Sequence, residues 1–423
     1  MRRLFNCSAV LLLGFLLTGV VLMGAFAQAE EPTPAQKEYD QGQQAFYRGL
    51  YGEAIKHYQA ALLLAPEEAV YGVALGKAYS AAGKPDDAQR QFERVLKDHP
   101  ANADAGKELA AIYAQRQEWQ KAFDLLTGLL PYKHDYVMFK VLADAAYRLG
   151  KTSDAKRYYR EALKFNDQSA SDHYTLGDIY LTESKFRLAA THYSRALELG
   201  HDDALIHYKL GTAYFNLRNY LGQVETREMP GGVEGEIRDD CFLIEPLLGV
   251  PNVFCCAPLD SAIYQVRKAI DMGIAAPEAR LLLANIYFHT NRYEKAIELF
   301  LQIEKEVKDE DKELFYTYLG QAYFHTGRYD EYLDAVKNAT AKDADAQRQA
   351  LVEAHHSVAK KCQQMGDVAN QVSHLLKCID GAPTNAEYHL ELGDAYYAQK
   401  DFRNAVAQWR MTLDLQPDHP EQM

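Results

Sequence analysis

Nothing in this chain offers a ready-made reaction centre. It has no glycine-rich loop of the two standard kinds that cradle a phosphate on backbone N–H groups, no Gly-x-Ser-x-Gly elbow and no Cys-x-x-Cys-His haem motif. Positive charge is scarce: 46 Lys and Arg stand against 59 Asp and Glu, a formal net charge of −13. That argues against nucleic acid, whose phosphates need a basic face, and against docking on anionic lipid. Apolar runs are scarce too. After residue 26 no stretch is long enough to span a bilayer. Cysteine is limited to six residues, none of them in a Cys-x-x-Cys pair.

The one long apolar run is at the start. Arg2 and Arg3 precede an uncharged stretch from Ala9 to Phe26, then Ala25-Phe26-Ala27 and the polar Gln28-Ala29-Glu30-Glu31. A positive start, an apolar middle and a small-x-small site make a secretory signal peptide over residues 1–27. An uncleaved N-terminal anchor helix is the alternative. Without Arg2 and Arg3, 44 basic residues face 59 acidic ones, a net of −15. Five cysteines then remain: Cys241, Cys255, Cys256, Cys362 and Cys378. Export would place them where disulfides persist, and an odd number leaves at least one thiol unpaired within the chain.

The rest of the chain repeats itself. Gly76, Ala88, Phe92, Val95 and Pro100 have counterparts 34 residues earlier in Gly42, Ala54, Tyr58, Ala61 and Pro66. The same positions return in Gly177, Tyr180, Ala189, Tyr193 and Ala196, and later around Gly211, Ala284, Gly320 and Gly393. Spacings of three and four mark one face of a helix. A Gly or Asn near position 15 (Gly49, Gly83, Gly150, Asn291, Gly327, Gly366) tolerates the left-handed backbone that ends a helix. Each repeat therefore reads as two helices, with small residues at positions 8 and 20 bringing the backbones close.

The Leu-Gly-x-x-Tyr of the first helix (Leu75-Gly76 with Tyr79, Leu176-Gly177 with Tyr180, Leu319-Gly320 with Tyr323, Leu392-Gly393 with Tyr396), the alanine at position 20 and the 34-residue period resemble the tetratricopeptide repeat family. Ten repeats are expected, at 35–68, 69–102, 103–135, 136–169, 170–203, 204–276, 277–310, 313–346, 352–385 and 386–419. The family implies an all-α fold, a right-handed superhelical solenoid of about ten helix-turn-helix repeats with one irregular insertion. Tyr332 in repeat 8, and Cys362 and Gln371 in repeat 9, depart from the pattern.

Repeat 6 breaks the count. By phase its position-20 alanine belongs at residue 223, yet it is Ala262, so 39 residues are inserted, over roughly 222–258. The organisation expected is thus a signal (1–27), repeats 1–5 with the first helix of repeat 6 (28–221), the insertion (222–258), and the remainder (259–423). The insertion is rich in Pro and Gly, acidic in its first half, and holds Cys241, Cys255 and Cys256. A disulfide from Cys241 to either neighbour would close a loop of about 15 residues, contributing roughly 3 kcal/mol. A free thiol with redox activity is the alternative; a metal site is disfavoured, with no Cys-x-x-Cys or nearby His.

Other candidates read as plain structure. His355 and His356 are neighbours on a helix, their rings about 100° apart, and read as solvated surface. His289 and His325 hold equal positions in successive repeats, on the order of 10 Å apart, far for one ion. Cys362 and Cys378 read as core thiols, with a cross-helix disulfide as the alternative. In the family that the repeats resemble, positions 5, 9 and 12 of the first helix line a concave groove. Here these include Tyr174, Tyr208, Phe215, Asn285, Phe288, Phe324 and Tyr397, aromatic rings with polar edges of the kind that interfaces favour. Packing on the next repeat is the alternative for position 12. The expectation is a non-catalytic scaffold in the periplasm or another exported space, binding a protein or peptide in that groove. It needs no cofactor or metal, binds no nucleic acid, and meets no lipid beyond a signal-anchor. Envelope assembly and polysaccharide export are settings the resemblance suggests.

Overall fold

The computed structural model describes residues 32–224, 258–274, 277–340 and 343–416. The expected signal, Cys241, Cys255 and Cys256 lie outside the described residues. The described residues hold twenty α-helices and no strand. They form ten consecutive pairs: α1 (Pro34–Tyr47) with α2 (Tyr51–Leu64), α3 (Ala69–Ala81) with α4 (Pro85–Asp98), α5 (Ala103–Gln115) with α6 (Trp119–Leu129), and α7 (Tyr136–Arg148) with α8 (Thr152–Phe165). Then follow α9 (Ala170–Thr182) with α10 (Phe186–Glu198), α11 (Ala204–Val224) with α12 (Pro258–Asp271), and α13 (Pro277–His289) with α14 (Tyr293–Ile303). The last are α15 (Lys312–His325) with α16 (Tyr329–Ala339), α17 (Ala344–Met365) with α18 (Val368–Gly381), and α19 (Ala386–Ala398) with α20 (Phe402–Leu415). Pairs 1–4 belong to one compact body ending at Asp167, and pairs 5–10 to a second starting at Gln168. No helix of the described residues is long and apolar enough to cross a membrane.

The turn inside each pair has one construction. Position 15 is left-handed in nine of the ten repeats, at Gly49, Gly83, Gln117, Gly150, Ser184, Asn291, Gly327, Gly366 and Lys400. The next residue's N–H then bonds back to the carbonyl of position 11, as in Lys84 to Tyr79 (2.9 Å), Lys185 to Tyr180 (2.8 Å) and Asp401 to Tyr396 (2.9 Å). This satisfies a carbonyl that the helix end would otherwise orphan. Repeat 6 has Arg218 at this place, and α11 continues to Val224. α12 begins at Pro258, and the insertion expected over 222–258 lies almost wholly outside the described residues.

Packing inside a pair rests on the small residue at position 8. The ring of Tyr58 lies over Gly42, 2.7 Å from where a β-carbon would stand, and Tyr193 lies over Gly177 at 2.6 Å. Phe92 on Gly76, Val266 on Gly211 and Trp409 on Gly393 repeat the contact. The position-20 alanines Ala54, Ala88, Ala122, Ala155, Ala189, Ala262, Ala296 and Ala405 are all fully buried.

Repeats 8 and 9 depart where the pattern did. Tyr332 does not fit an alanine's niche, so Ala335 and Tyr332 lie against Gly320 and position 24, Val336, does not. The first helix of repeat 9 begins at Ala344, eight residues before 352. Asp343 caps it through the N–H groups of Asp345 and Ala346, and no helix breaker separates residues 344 to 351. Cys362 and Cys378 are buried free thiols. The Cys378 Sγ lies 3.5 Å from the Val352 carbonyl, and burial pushes its pKa up to about 12, which makes it an inert core group.

Candidate functional site

The positions expected to line a groove divide into three kinds. The first is a continuous belt of rings through repeats 6 to 8. Phe215 of α11 meets His289 (centroids 5.7 Å), which stands edge-on to Phe288 (5.5 Å) and Tyr318 (6.1 Å). Phe288 also meets Tyr318 (5.3 Å) and Tyr293 (5.5 Å), and Tyr293 stacks on His325 at 4.4 Å, 7° from parallel. His325 touches Phe324 (6.1 Å), which packs on Tyr329 (5.8 Å) and Tyr332 (5.2 Å). The rings are half-buried, apart from the more exposed His325. Of the position-12 aromatics, Phe288 and Phe324 lean on the start of their own repeat's second helix, through Tyr293 and through Tyr329 with Tyr332, while Phe215 and Phe288 also reach the next repeat, through His289 and Tyr318. His289 and His325 are members of this belt. Tyr397 stands apart at 57% exposure, against Phe402 and Trp409.

The second kind is already committed internally. Asp144, Asp178 and Asp394, at position 9, accept from the position-24 side chain of their own repeat: Tyr159 Oη at 2.6 Å, Tyr193 Oη at 2.6 Å and Trp409 Nε1 at 3.0 Å. Asp178 also holds Lys209, whose Nζ lies 2.7 and 2.8 Å from its two oxygens, 2.7 Å from the Tyr174 hydroxyl and 4.5 Å above that ring. Burial alone would lower the Lys209 pKa, but the bonds to Asp178 and Tyr174 outweigh it and hold the ammonium above its usual range. Tyr174 is further stacked on His201 at 4.6 Å. It is thus a clamped ring. Tyr208 is half-buried, and burial followed by Glu278 raises its phenol.

The third kind is Asn285. Its Oδ1 is buried and has no hydrogen-bond partner among the described residues. The reason is legible in the repeat: position 24 of this repeat is Phe300, where Tyr159, Tyr193 and Trp409 supply a donor elsewhere. A buried acceptor without a donor costs about 1–3 kcal/mol.

Sequence reasoning missed a set of polar pairs between positions 4 and 23. His57 Nδ1 meets Glu38 (2.8 Å), His173 Nδ1 meets His192 Nδ1 (2.9 Å), His355 Nδ1 meets His374 Nδ1 (3.0 Å), and His389 Nδ1 meets Gln408 (2.7 Å), each 19 residues apart. His207 and Gln265 pair in the same way across the insertion. Aligning the repeats for polar residues, rather than for apolar ones, would have exposed them. The surface reading of His355 and His356 is corrected: His355 sits in such a pair between two helices, and His356 Nε2 bonds Glu391 at 2.7 Å with 15% of its side chain exposed. Among the described residues one group has metal-ligand chemistry within reach, His356 with Glu387 and Glu391, whose ligand atoms all lie within 4.8 Å of one another.

Family models bear on three stretches. A tetratricopeptide repeat model matches residues 73–132 and 259–311, and a second repeat model of the same family matches 177–217. The human protein O-mannosyl-transferase TMTC1 is 25% identical over 145 residues, which are 33% of this chain and 16% of that protein. The match thus spans about a sixth of the relative, whose named activity belongs to the whole. Among solved structures, YrrB, titled a TPR protein with an unusual peptide-binding site, is 16% identical, covering 52% of this chain and 95% of its own, at TM-score 0.39. MamA from Desulfovibrio magneticus RS-1 is 18% identical over 40% of this chain and 98% of its own, at 0.37. PilF of Pseudomonas aeruginosa is 18% identical over 45% and 94%, also at 0.37.

Proposed function

This chain is a tetratricopeptide repeat protein, and we propose that it is a non-catalytic interaction scaffold of an exported compartment, binding an extended segment of another protein along the first helices of repeats 6 to 8. The observation that carries this is the belt of half-buried rings from Phe215 through Phe288 to Phe324. Half-buried aromatics give a partner apolar area with little rotamer entropy left to lose. The clamped acids at positions 144, 178 and 394 are occupied already and lie outside the proposed contact. The signal-like start supports the exported location, and envelope assembly or polysaccharide export is the setting proposed.

The test is capture of partners from an envelope extract by the wild type and by F288A/F324A. A partner retained by the wild type and lost by the variant, with the variant's helix content unchanged, supports the reading. Identical partners on both would sink it. Fractionation of cells expressing the full chain tests the location.

A further inference from the structure

We propose that His356, Glu387 and Glu391 form a three-ligand site for a divalent transition-metal ion of the zinc class, joining the first helices of repeats 9 and 10. His356 lies on α17, and the two glutamates lie on α19. Glu387 and Glu391 are four apart and so share one face of that helix. Imidazole nitrogen with two carboxylate oxygens is a donor set that suits zinc and its neighbours, with a fourth position left to water.

The geometry is close to what such an ion requires. Bond lengths of about 2.0–2.2 Å place tetrahedral ligand atoms roughly 3.4 Å apart. The three atoms here lie within 4.8 Å of one another, with His356 Nε2 and Glu391 Oε2 already at 2.7 Å. Glu387 is exposed and closes the remaining gap by rotating. The Tyr388 ring stands edge-on to the imidazole at 4.7 Å and restrains its plane, as outer groups do in built sites. Without an ion, two like charges sit at i and i+4, a destabilising arrangement that a dication reverses. Lys360 Nζ is 3.9 Å from the other Glu391 oxygen and competes for that charge. On binding, the ion takes the place of the proton between Nε2 and Oε2: a neutral imidazole then carries its proton on Nδ1, and a protonated one keeps the Nδ1 proton and releases the other to solvent.

Four cysteines outside the described residues are themselves potential ligands, so the test uses the full chain with Cys7, Cys241, Cys255 and Cys256 changed to Ser. Zinc is titrated calorimetrically, and cobalt is followed by absorption. One ion per chain is expected, with cobalt bands free of thiolate charge transfer and an unfolding temperature that rises with zinc. E391Q and E387Q should each weaken binding by at least about tenfold. Glu387 is exposed, so its variant remains informative if another fails to fold. K360A keeps all three donors and removes the competing cation, so it should bind as tightly or more tightly. Absence of binding in the parent, or affinity in E387Q and E391Q equal to the parent's, overturns the site.

Discussion

Phe300→Tyr is expected to stabilise repeat 7. Most polar additions to a core destabilise it, since a buried hydroxyl without a partner costs about 1–3 kcal/mol. Here the hydroxyl has a destination. In repeats 4 and 5 the position-24 tyrosines Tyr159 and Tyr193 reach the position-9 carboxylate fifteen residues earlier at 2.6 Å. Phe300 is fully buried at the same position, and the residue fifteen earlier is Asn285, with its unpartnered Oδ1. The new bond should contribute about 0.5–1.5 kcal/mol, the usual net worth of such a bond. The sign therefore separates the two accounts. Amide hydrogen exchange in α13 and α14 reads it locally, which suits an array whose stability is a sum of neighbour terms. In an Asn285→Ala background the same change should be destabilising, giving a coupling of about 1 kcal/mol in the double-mutant cycle. Loss of about 1 kcal/mol in the wild-type background, or zero coupling, refutes the argument.

Three further outcomes follow from packing and charge. Burial, then His374, Lys377 and Lys337, hold the His355 pKa down to about 4, while burial lowers His374 against an upward pull from Asp330. A depressed histidine is neutral in the fold and charged in the unfolded chain below about pH 6.5, so its stabilisation is complete above that value and is lost as pH falls toward 4. The loss should be on the order of 1–3 kcal/mol, and His355→Phe should flatten unfolding-versus-pH curves between those limits; an unchanged slope contradicts the assignment. Gly177→Ala sets a β-carbon 2.6 Å from the Tyr193 ring, and should cost about 1–3 kcal/mol in thermal or urea unfolding. Lys400→Gly relieves a left-handed φ of 65° at an exposed turn and should contribute roughly 0.5–1 kcal/mol, with a neutral result counting against strain there.

Much of this architecture was written in the apolar and glycine positions. Gly42, Gly76, Gly177 and Gly393 mark where a second helix presses on a first, and the 34-residue spacing of such marks is enough to place ten helix pairs. The long first helix of repeat 9 was not legible, because the repeat pattern begins only at residue 352 while residues 344–351 are merely good helix formers. The site was half legible. Phe215, Phe288 and Phe324 follow from position 12, but their neighbours Tyr293, Tyr318 and Tyr329 occupy positions with no expected role. Lys209 reaches back across a repeat boundary to Asp178, and His356 reaches forward to Glu391; pairings about 31 to 35 residues apart have no local motif to announce them.

The polar pairs at positions 4 and 23 bear on how the chain tolerates its insertion. Apolar faces alone accept modest slips, since hydrophobic surfaces of similar volume interchange at small cost. A buried imidazole does not, because a shifted helix leaves it without a partner. His207 and Gln265 are 58 residues apart, against 19 in the other four pairs, and the difference is the 39 inserted residues. The contact between α11 and α12 thus keeps the register of an uninterrupted repeat: Val266 still covers Gly211, and Ala262 and Ala269 are still fully buried. Removal of residues 219–257, joining position 15 directly to position 16 at Pro258, should therefore preserve the pairing, with Arg218→Gly supplying the left-handed residue found at this turn elsewhere. Loop closure changes only slowly with length, so stability should move by about 1–2 kcal/mol at most. Hydrogen exchange in α9 to α14 is the readout. Protection that survives the deletion locates repeat 6's stability in its own two helices, whereas protection that collapses in the flanking repeats shows that the inserted residues hold them together.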